Sequence, residues 1–186
     1  MDTSEQGAAA GLTQEERAHV IRLLRESADE FLELISNLTD AQRTRETAPG
    51  GWSAQQIAEH LVLGEKAMLG KIKEALASPA SLEWEEQDAR KTRFLGLVVP
   101  DRKRKANAPT GLAPHRHCTQ EETIARYRES RARTLKFAEE VDQPMKSHLA
   151  EHPFPVFNML NAYHWLLYIP LHNVRHNQQI AQALQK

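Results

Sequence analysis

His172 and His176 stand four residues apart in a segment, 169 to 180, whose only charged side chain is Arg175. On a helix that spacing puts two residues about 40° apart around the axis, with Cβ atoms about 5–6 Å apart, so both imidazoles can meet one metal ion. The chain has nine histidines, and the same spacing equally fits two hydrogen-bonded core or surface histidines. The neighbours favour a pocket. At 100° per residue, Trp165, Tyr168, Gln179 and Asn161 fall within about 40° of His172, lining one side of an otherwise apolar helix with rings and polar tips. Pro170 removes an amide just above the pair and predicts a kink or restart there, leaving 172 and 176 in regular helix.

A third donor has to come from another helix, and His60 is the best-placed candidate. It follows Ser53 by seven residues, about two turns into a helix, and Gly64 and Ala67 on the same face leave room around the ring. The alternative is that Glu59 and His60 form a solvated pair at the edge of the core. Gln56, Asn173 and Gln179 are candidate hydrogen-bond partners for the second ring nitrogens, which a metal-bound histidine engages with an acceptor. Glu59 and Glu65 lie about 100° and 140° around the helix from His60, so neither is expected at a shared metal. His164, about 80° from His172, reads as an ordinary hydrogen-bonded residue. "PHRHC", residues 114 to 118, gathers His115, His117 and Cys118 without a second ligand pair at zinc-finger spacing, and reads as a polar loop. Cys118 has no mark of a nucleophile beyond its place before a helix N-terminus.

Helices must position these side chains, and three of their starts share one device. Thr13-Gln14-Glu15-Glu16, Ser53-Ala54-Gln55-Gln56 and Thr119-Gln120-Glu121-Glu122 fit the capping box, a hydroxyl followed three residues on by Glu or Gln. The first helix carries Val20, Leu24, Phe31, Ile35 and Leu38 at helical spacing, and Pro49-Gly50-Gly51 breaks the chain after it. The second runs from about Ser53 to Ala77, with Ile57, Leu61, Gly64, Met68 and Ile72 on one stripe. The third spans 119 to 142 with Ile124, Tyr127, Leu135, Ala138 and Val141, and the fourth spans 157 to 185. The fourth has so few charges that it should be covered on most sides.

Residues 78 to 118, with four prolines, form a crossover long enough to return the chain, so that the second and third helices run parallel. The expected fold is all-α: a four-helix bundle, up-down-down-up, with residues 13–186 as one domain behind a disordered tail at 1–12. Within the crossover, Leu95 to Val99 reads as a short extended piece.

Composition bounds the function. A formal net charge of -1 gives no global field for nucleic acid or an anionic membrane. "DRKRK", residues 101 to 105, is the one concentrated basic run, and without interleaved aromatics it reads as a solvated face rather than a phosphate-binding patch. A single cysteine excludes an intramolecular disulfide and a cysteine-built zinc cage, and points to a reducing cytoplasm. Residues 1 to 12 lack the pattern of a secretory signal, and no apolar run reaches membrane-spanning length.

"GGWSAQQIAEHLVLGE", residues 50 to 65, followed about a hundred residues later by "LHNVRHNQQI", resembles the DinB-like superfamily of four-helix bundles, which includes YfiT-type metal-dependent hydrolases and thiol S-transferases. The resemblance runs from the first helix to the end of the chain. It implies a Trp-Ser turn opening the second helix, with His60 as one ligand and His172 and His176 as the other two around a divalent ion such as zinc or nickel. Three imidazoles with open positions suit a catalytic rather than a purely structural metal. The expected activity is hydrolysis, or transfer of a low-molecular-weight thiol, on a small-molecule substrate, with neither nucleic acid nor membrane as partner. Homodimerisation through exposed helix faces is compatible with the sequence. No general acid or base can be named. Tyr168 and Arg175 are the nearest residues for orienting a substrate, and Gln56, Trp165 and Gln179 complete the expected surroundings. The competing expectation is a non-catalytic metal- or small-molecule-binding bundle, a sensor or stress protein.

Overall fold

The computed structural model describes residues 10–81, 83–103, 107–109, 111–115 and 118–185. Four long helices make the bundle: α1 (Gln14–Ser36), α3 (Ala54–Ala77), α5 (Gln120–Glu140) and α6 (Ala162–Leu184). A short helix, α2 (Asp40–Thr44), lies between the first two, and α4 (Trp84–Val98) lies in the crossover. Thr13, Ser53 and Thr119 all close capping boxes, as their sequences predict. Thr39 closes a fourth with Gln42.

Side-chain contacts fix the helix directions. Gln120 at the start of α5 donates to the Ile35 carbonyl at the end of α1 (2.9 Å), while Arg17 at the start of α1 donates to the Ala138 carbonyl near the end of α5, so these two are antiparallel. Gln55 reaches the Cys118 carbonyl and Glu65 reaches Arg131, so α3 and α5 are parallel. His60 lies beside His176 and Gly64 beside His172, so α3 and α6 are antiparallel. The bundle is therefore up-down-down-up. Each of α1 and α3 packs along both α5 and α6, whereas α1 and α3 sit across the diagonal from each other. The connection at 37–53 is long enough to cross the end of the bundle, so these successive helices are not direct neighbours.

Buried side chains form two clusters along the bundle. One holds Leu24, Met68, Ile72, Leu95, Met145, Leu160 and Leu166, and the other Phe31, Ile35, Ile57, Leu61, Tyr127 and Ile180. The inner face of α5 is unusually polar: Thr123, Tyr127, Ser130, Arg131 and Thr134 are buried, while Ile124 and Leu135, expected on the core stripe, are only partly so. Arg131 makes this tolerable. Its guanidinium meets Glu65 (3.0 Å), Asn173 Oδ1 (2.8 Å) and the Leu24 carbonyl (2.6 Å), so this buried charge and that of Glu65 are partnered.

Several expectations need correction. Leu95 is helical and buried, near the end of α4, and not extended; Val99 follows as the helix cap. The fourth helix begins at Ala162 rather than 157, because Met159–Asn161 (β2) pairs antiparallel with Leu149–Glu151 (β1), Ala150 opposite Leu160. The helix α6 does not restart at Pro170, which lies inside it. Of the expected tail, residues 1–9 lie outside the described residues. Ala10 is buried, its carbonyl accepting from Lys146 N at 2.8 Å, and Leu12 packs against the core. Among the described residues no helix is long and apolar enough to cross a membrane.

Candidate metal centre

The antiparallel pair α3 and α6 brings His60, His172 and His176 together. His60 Nε2 and His176 Nε2 each lie 3.2 Å from His172 Nε2, and one nitrogen from each ring falls within 4.8 Å of the others. Gly64 faces the His172 ring, and a Cβ there would lie 3.5 Å from His172 Cε1, an ordinary contact that leaves no room for a larger side chain. Trp52, in the turn before α3, covers His60 with ring centroids 4.7 Å apart.

The other ring nitrogens orient two of the histidines. His60 Nδ1 donates to the Leu112 carbonyl (2.8 Å), and His176 Nδ1 donates to Gln179 Oε1 (3.0 Å). Gln179 Nε2 donates in turn to Thr47 Oγ1 (3.1 Å), and that hydroxyl donates to the Trp52 carbonyl (2.8 Å). With their protons on Nδ1, His60 and His176 both present an Nε2 lone pair towards His172 Nε2. Burial keeps the rings neutral. It lowers the pKa of His60, lowers that of His176 to about 3, and holds that of His172 well below the usual imidazole value, with the neighbouring histidines adding to the effect at His172 and His176. Two lone pairs facing a third nitrogen cannot both be met by one ring proton. Neutral imidazoles converging in this way, two of them with the outer nitrogen held by an acceptor, fit a divalent cation.

A cavity of about 540 Å³ opens on these rings. Its walls include Met68, Val98, Val99, Phe154, Phe157 and Trp165, with Lys71, Asp101 and Arg175 among the polar residues. Tyr168 also lines it, its ring 6.0 Å from that of His172 and its hydroxyl pKa pushed up to about 12 by burial. Arg175 donates to the Asp101 carbonyl and Arg102 to the Arg175 carbonyl (3.5 Å), tying the first residues of the basic run to α6; residues 104 and 105 lie outside the described residues.

Of the expected surroundings, Trp165, Tyr168 and Arg175 line the cavity and Gln179 orients His176. Gln56 does not serve His60. Its Oε1 accepts from Ser53 N (2.9 Å), because the capping box consumes it. Asn173 points away from the cavity, into the Arg131 network, and Asn161 caps α6. Glu59 and Glu65 are both turned from the cluster, Glu59 accepting from His115 N (3.1 Å) and Glu65 from Arg131. His164 is buried against α4, its Nε2 3.2 Å from the Asp88 carbonyl. Cys118 is half-buried, with Arg126 Nη1 3.2 Å from its sulfur, and His117 lies outside the described residues. His152 went unnoticed in the sequence although it lines the cavity. It follows His148 by four residues in a non-periodic stretch, and only the fold brings it to the site.

Fold and site together define a four-helix bundle with a three-histidine cluster at the end of a cavity. Residues 23–180 match the model of the DinB superfamily, and the chain belongs to that family. Among solved structures it is similar to YfiT from Bacillus subtilis, described as a probable metal-dependent hydrolase with an unusual four-helix bundle topology. The two share 15% identity over 94% of this chain and 89% of that one, with a TM-score of 0.65. At that identity the likeness speaks for the fold. No curated protein matches the chain.

Proposed function

We propose that the chain is a metal-dependent enzyme acting on a small molecule, a hydrolase or a low-molecular-weight thiol S-transferase, with His60, His172 and His176 holding one divalent ion. The observation that carries this reading is the convergence of three neutral imidazole nitrogens at the end of a cavity. A divalent ion such as zinc or nickel would supply Lewis-acid chemistry there, of the kind that makes a nucleophile available near neutral pH. The chain's own residues hold the three ligands: the Leu112 carbonyl and Gln179 fix two ring orientations, and Gly64 admits the third ring. Arg175 and Tyr168 line the cavity among largely apolar walls, which supports a role in orienting a substrate. Among the described residues Asp101 is the only carboxylate lining the cavity.

Elemental analysis of the purified protein tests the reading, beside the His172→Ala variant and a panel of activated esters and thiol–electrophile pairs. About one zinc or nickel per chain is expected for the wild type, with loss of both metal and turnover in the variant. No divalent ion bound even when supplied would refute it. A loaded site inactive on every pair would favour a binding bundle.

A further inference from the structure

His152 lies in the cavity wall and takes no part in the three-histidine cluster. The hairpin delivers it. Immediately after β1 its amide donates to the Asn158 carbonyl (2.8 Å), and Asn158, at φ 52°, adopts the left-handed conformation that asparagine tolerates. The residue is 5% exposed and its ring stacks on Trp165, with centroids 4.8 Å apart and planes 18° apart. Phe157 and Tyr168 confine it further, at 4.5 and 5.1 Å. Since Tyr168 also lies alongside His172, a row of rings leads from His152 to the cluster.

The hydrogen bonding of His152 fixes what it offers. Phe154 N donates to His152 Nδ1 at 3.0 Å, so that nitrogen carries the lone pair and a neutral ring carries its proton on Nε2. Burial keeps the ring neutral, lowering its pKa to about 4. Among the described residues no protein group accepts from Nε2. An ordered donor in an apolar wall is best satisfied by an acceptor that enters the cavity. Trp165, Phe157 and Tyr168 line the cavity beside it, and such aromatic walls favour a planar, apolar body.

We propose that the cavity receives a flat, apolar molecule bearing a carbonyl-type oxygen, and that His152 determines this specificity by donating to that oxygen from Nε2. The inference rests on the proposed function in that it names the kind of molecule presented to the three histidines. Recognition by His152 does not itself require the ion, so the two can fail separately.

The test uses the full chain and prodan, a dimethylamino-naphthalene ketone whose emission moves to the red when the ketone accepts a hydrogen bond. Titrations are run with and without zinc on the wild type, His152→Phe and His152→Gln, with metal content and melting temperature measured in parallel. His152→Phe keeps a flat ring but no donor, and should bind the probe about three- to tenfold more weakly, with bluer emission. His152→Gln, which has an amide donor, should recover part of the red shift. A second measurement needs no variant: acetylnaphthalene should displace the probe from the wild type about three- to tenfold better than ethylnaphthalene. Equal displacement by the two, or unchanged affinity and emission in a folded His152→Phe, overturns the inference. Ketone discrimination without any metal uptake would overturn the proposed function and leave this inference standing.

Discussion

Replacing Gly64 separates the packing of the bundle from the geometry of its histidines. A Cβ added to this buried glycine would lie 3.5 Å from His172 Cε1, 3.5 Å from the Met68 methyl and 3.9 Å from His172 Nδ1. These are ordinary van der Waals separations, so Gly64→Ala fits without moving the ring. The position is well inside Ala54–Ala77, where alanine is favoured over glycine by about 1 kcal/mol. Burying the extra methyl adds up to about 0.8 kcal/mol. A total of about 1–2 kcal/mol should raise Tm by roughly 2–8 °C in a chain of this size, with zinc stoichiometry unchanged. Gly64→Val differs. Its γ carbons reach about 1.5 Å beyond the Cβ, too far to clear a ring atom at 3.5 Å, so the His172 imidazole must turn away from its neighbours. Calorimetry combined with zinc titration against a competing chelator should show the alanine variant stabilised and loaded, and the valine variant at least about tenfold weaker for zinc. If alanine loses zinc as badly as valine, or valine binds as tightly as the wild type, the account of Gly64 as the spacer for His172 is wrong.

Two further outcomes follow from the hydrogen bonding. Gln179→Ala removes the acceptor at His176 Nδ1 and should weaken zinc binding by about 10–100-fold with little change in melting temperature; unchanged affinity would show that the ring needs no such partner. Acid sensitivity should carry a contribution from His164, whose pKa burial lowers from 6.5 to about 4. The unfolded chain binds this proton first, so stability is unaffected above about pH 6.5 and falls as the pH drops towards 4, by about 1.4 kcal/mol per pH unit and about 3 kcal/mol in all. His164→Gln should flatten that part of a denaturation profile; parallel profiles for variant and wild type would rule the contribution out.

What could be read in the sequence follows from the range of the interactions. Capping boxes at Thr13, Ser53 and Thr119 are local, and they place three of the four long helices to within a residue at their starts. His172 and His176 share a helix face by spacing alone, whereas for His60 the spacing left a solvated pair with Glu59 as the alternative and the family resemblance decided between them. Where structure depends on distant contacts, the sequence was silent or misleading. The crossover helix α4 has no side-chain cap at Glu83, and its buried anchor, Leu95, lies near its far end, so a helical start went unmarked. Strands of three residues are too short to show alternation, which hid the hairpin and pushed the expected start of α6 into β2. The same shortness concealed His152, which reaches the cavity only because that hairpin closes. Gln56 illustrates a competition: one side chain had two plausible partners, and the adjacent amide of Ser53 won.

One helix faces two ways, and this bears on how the protein could be engineered. On α6, His172 and His176 look into the cavity, while Asn173 and Asn177, one residue further on in each case, are held by α1 and α5: Asn173 by Arg131 and Tyr127, Asn177 by the Ser27 carbonyl (2.9 Å) and Glu30 (2.7 Å). Turning α6 by one residue, about 100°, would exchange the two pairs and strand both sets of polar atoms. An apolar interface would restrain that rotation only weakly, whereas directional bonds behind the helix lock it. Replacing the buried Arg131–Glu65–Asn173 group with leucine and methionine would resemble other swaps of buried ion pairs for apolar side chains, which often gain stability. The same swap would remove the lock. A library screened on melting temperature alone would therefore enrich bundles that survive heating with an idling α6, and the screen should be paired with a zinc-retention readout from its first round.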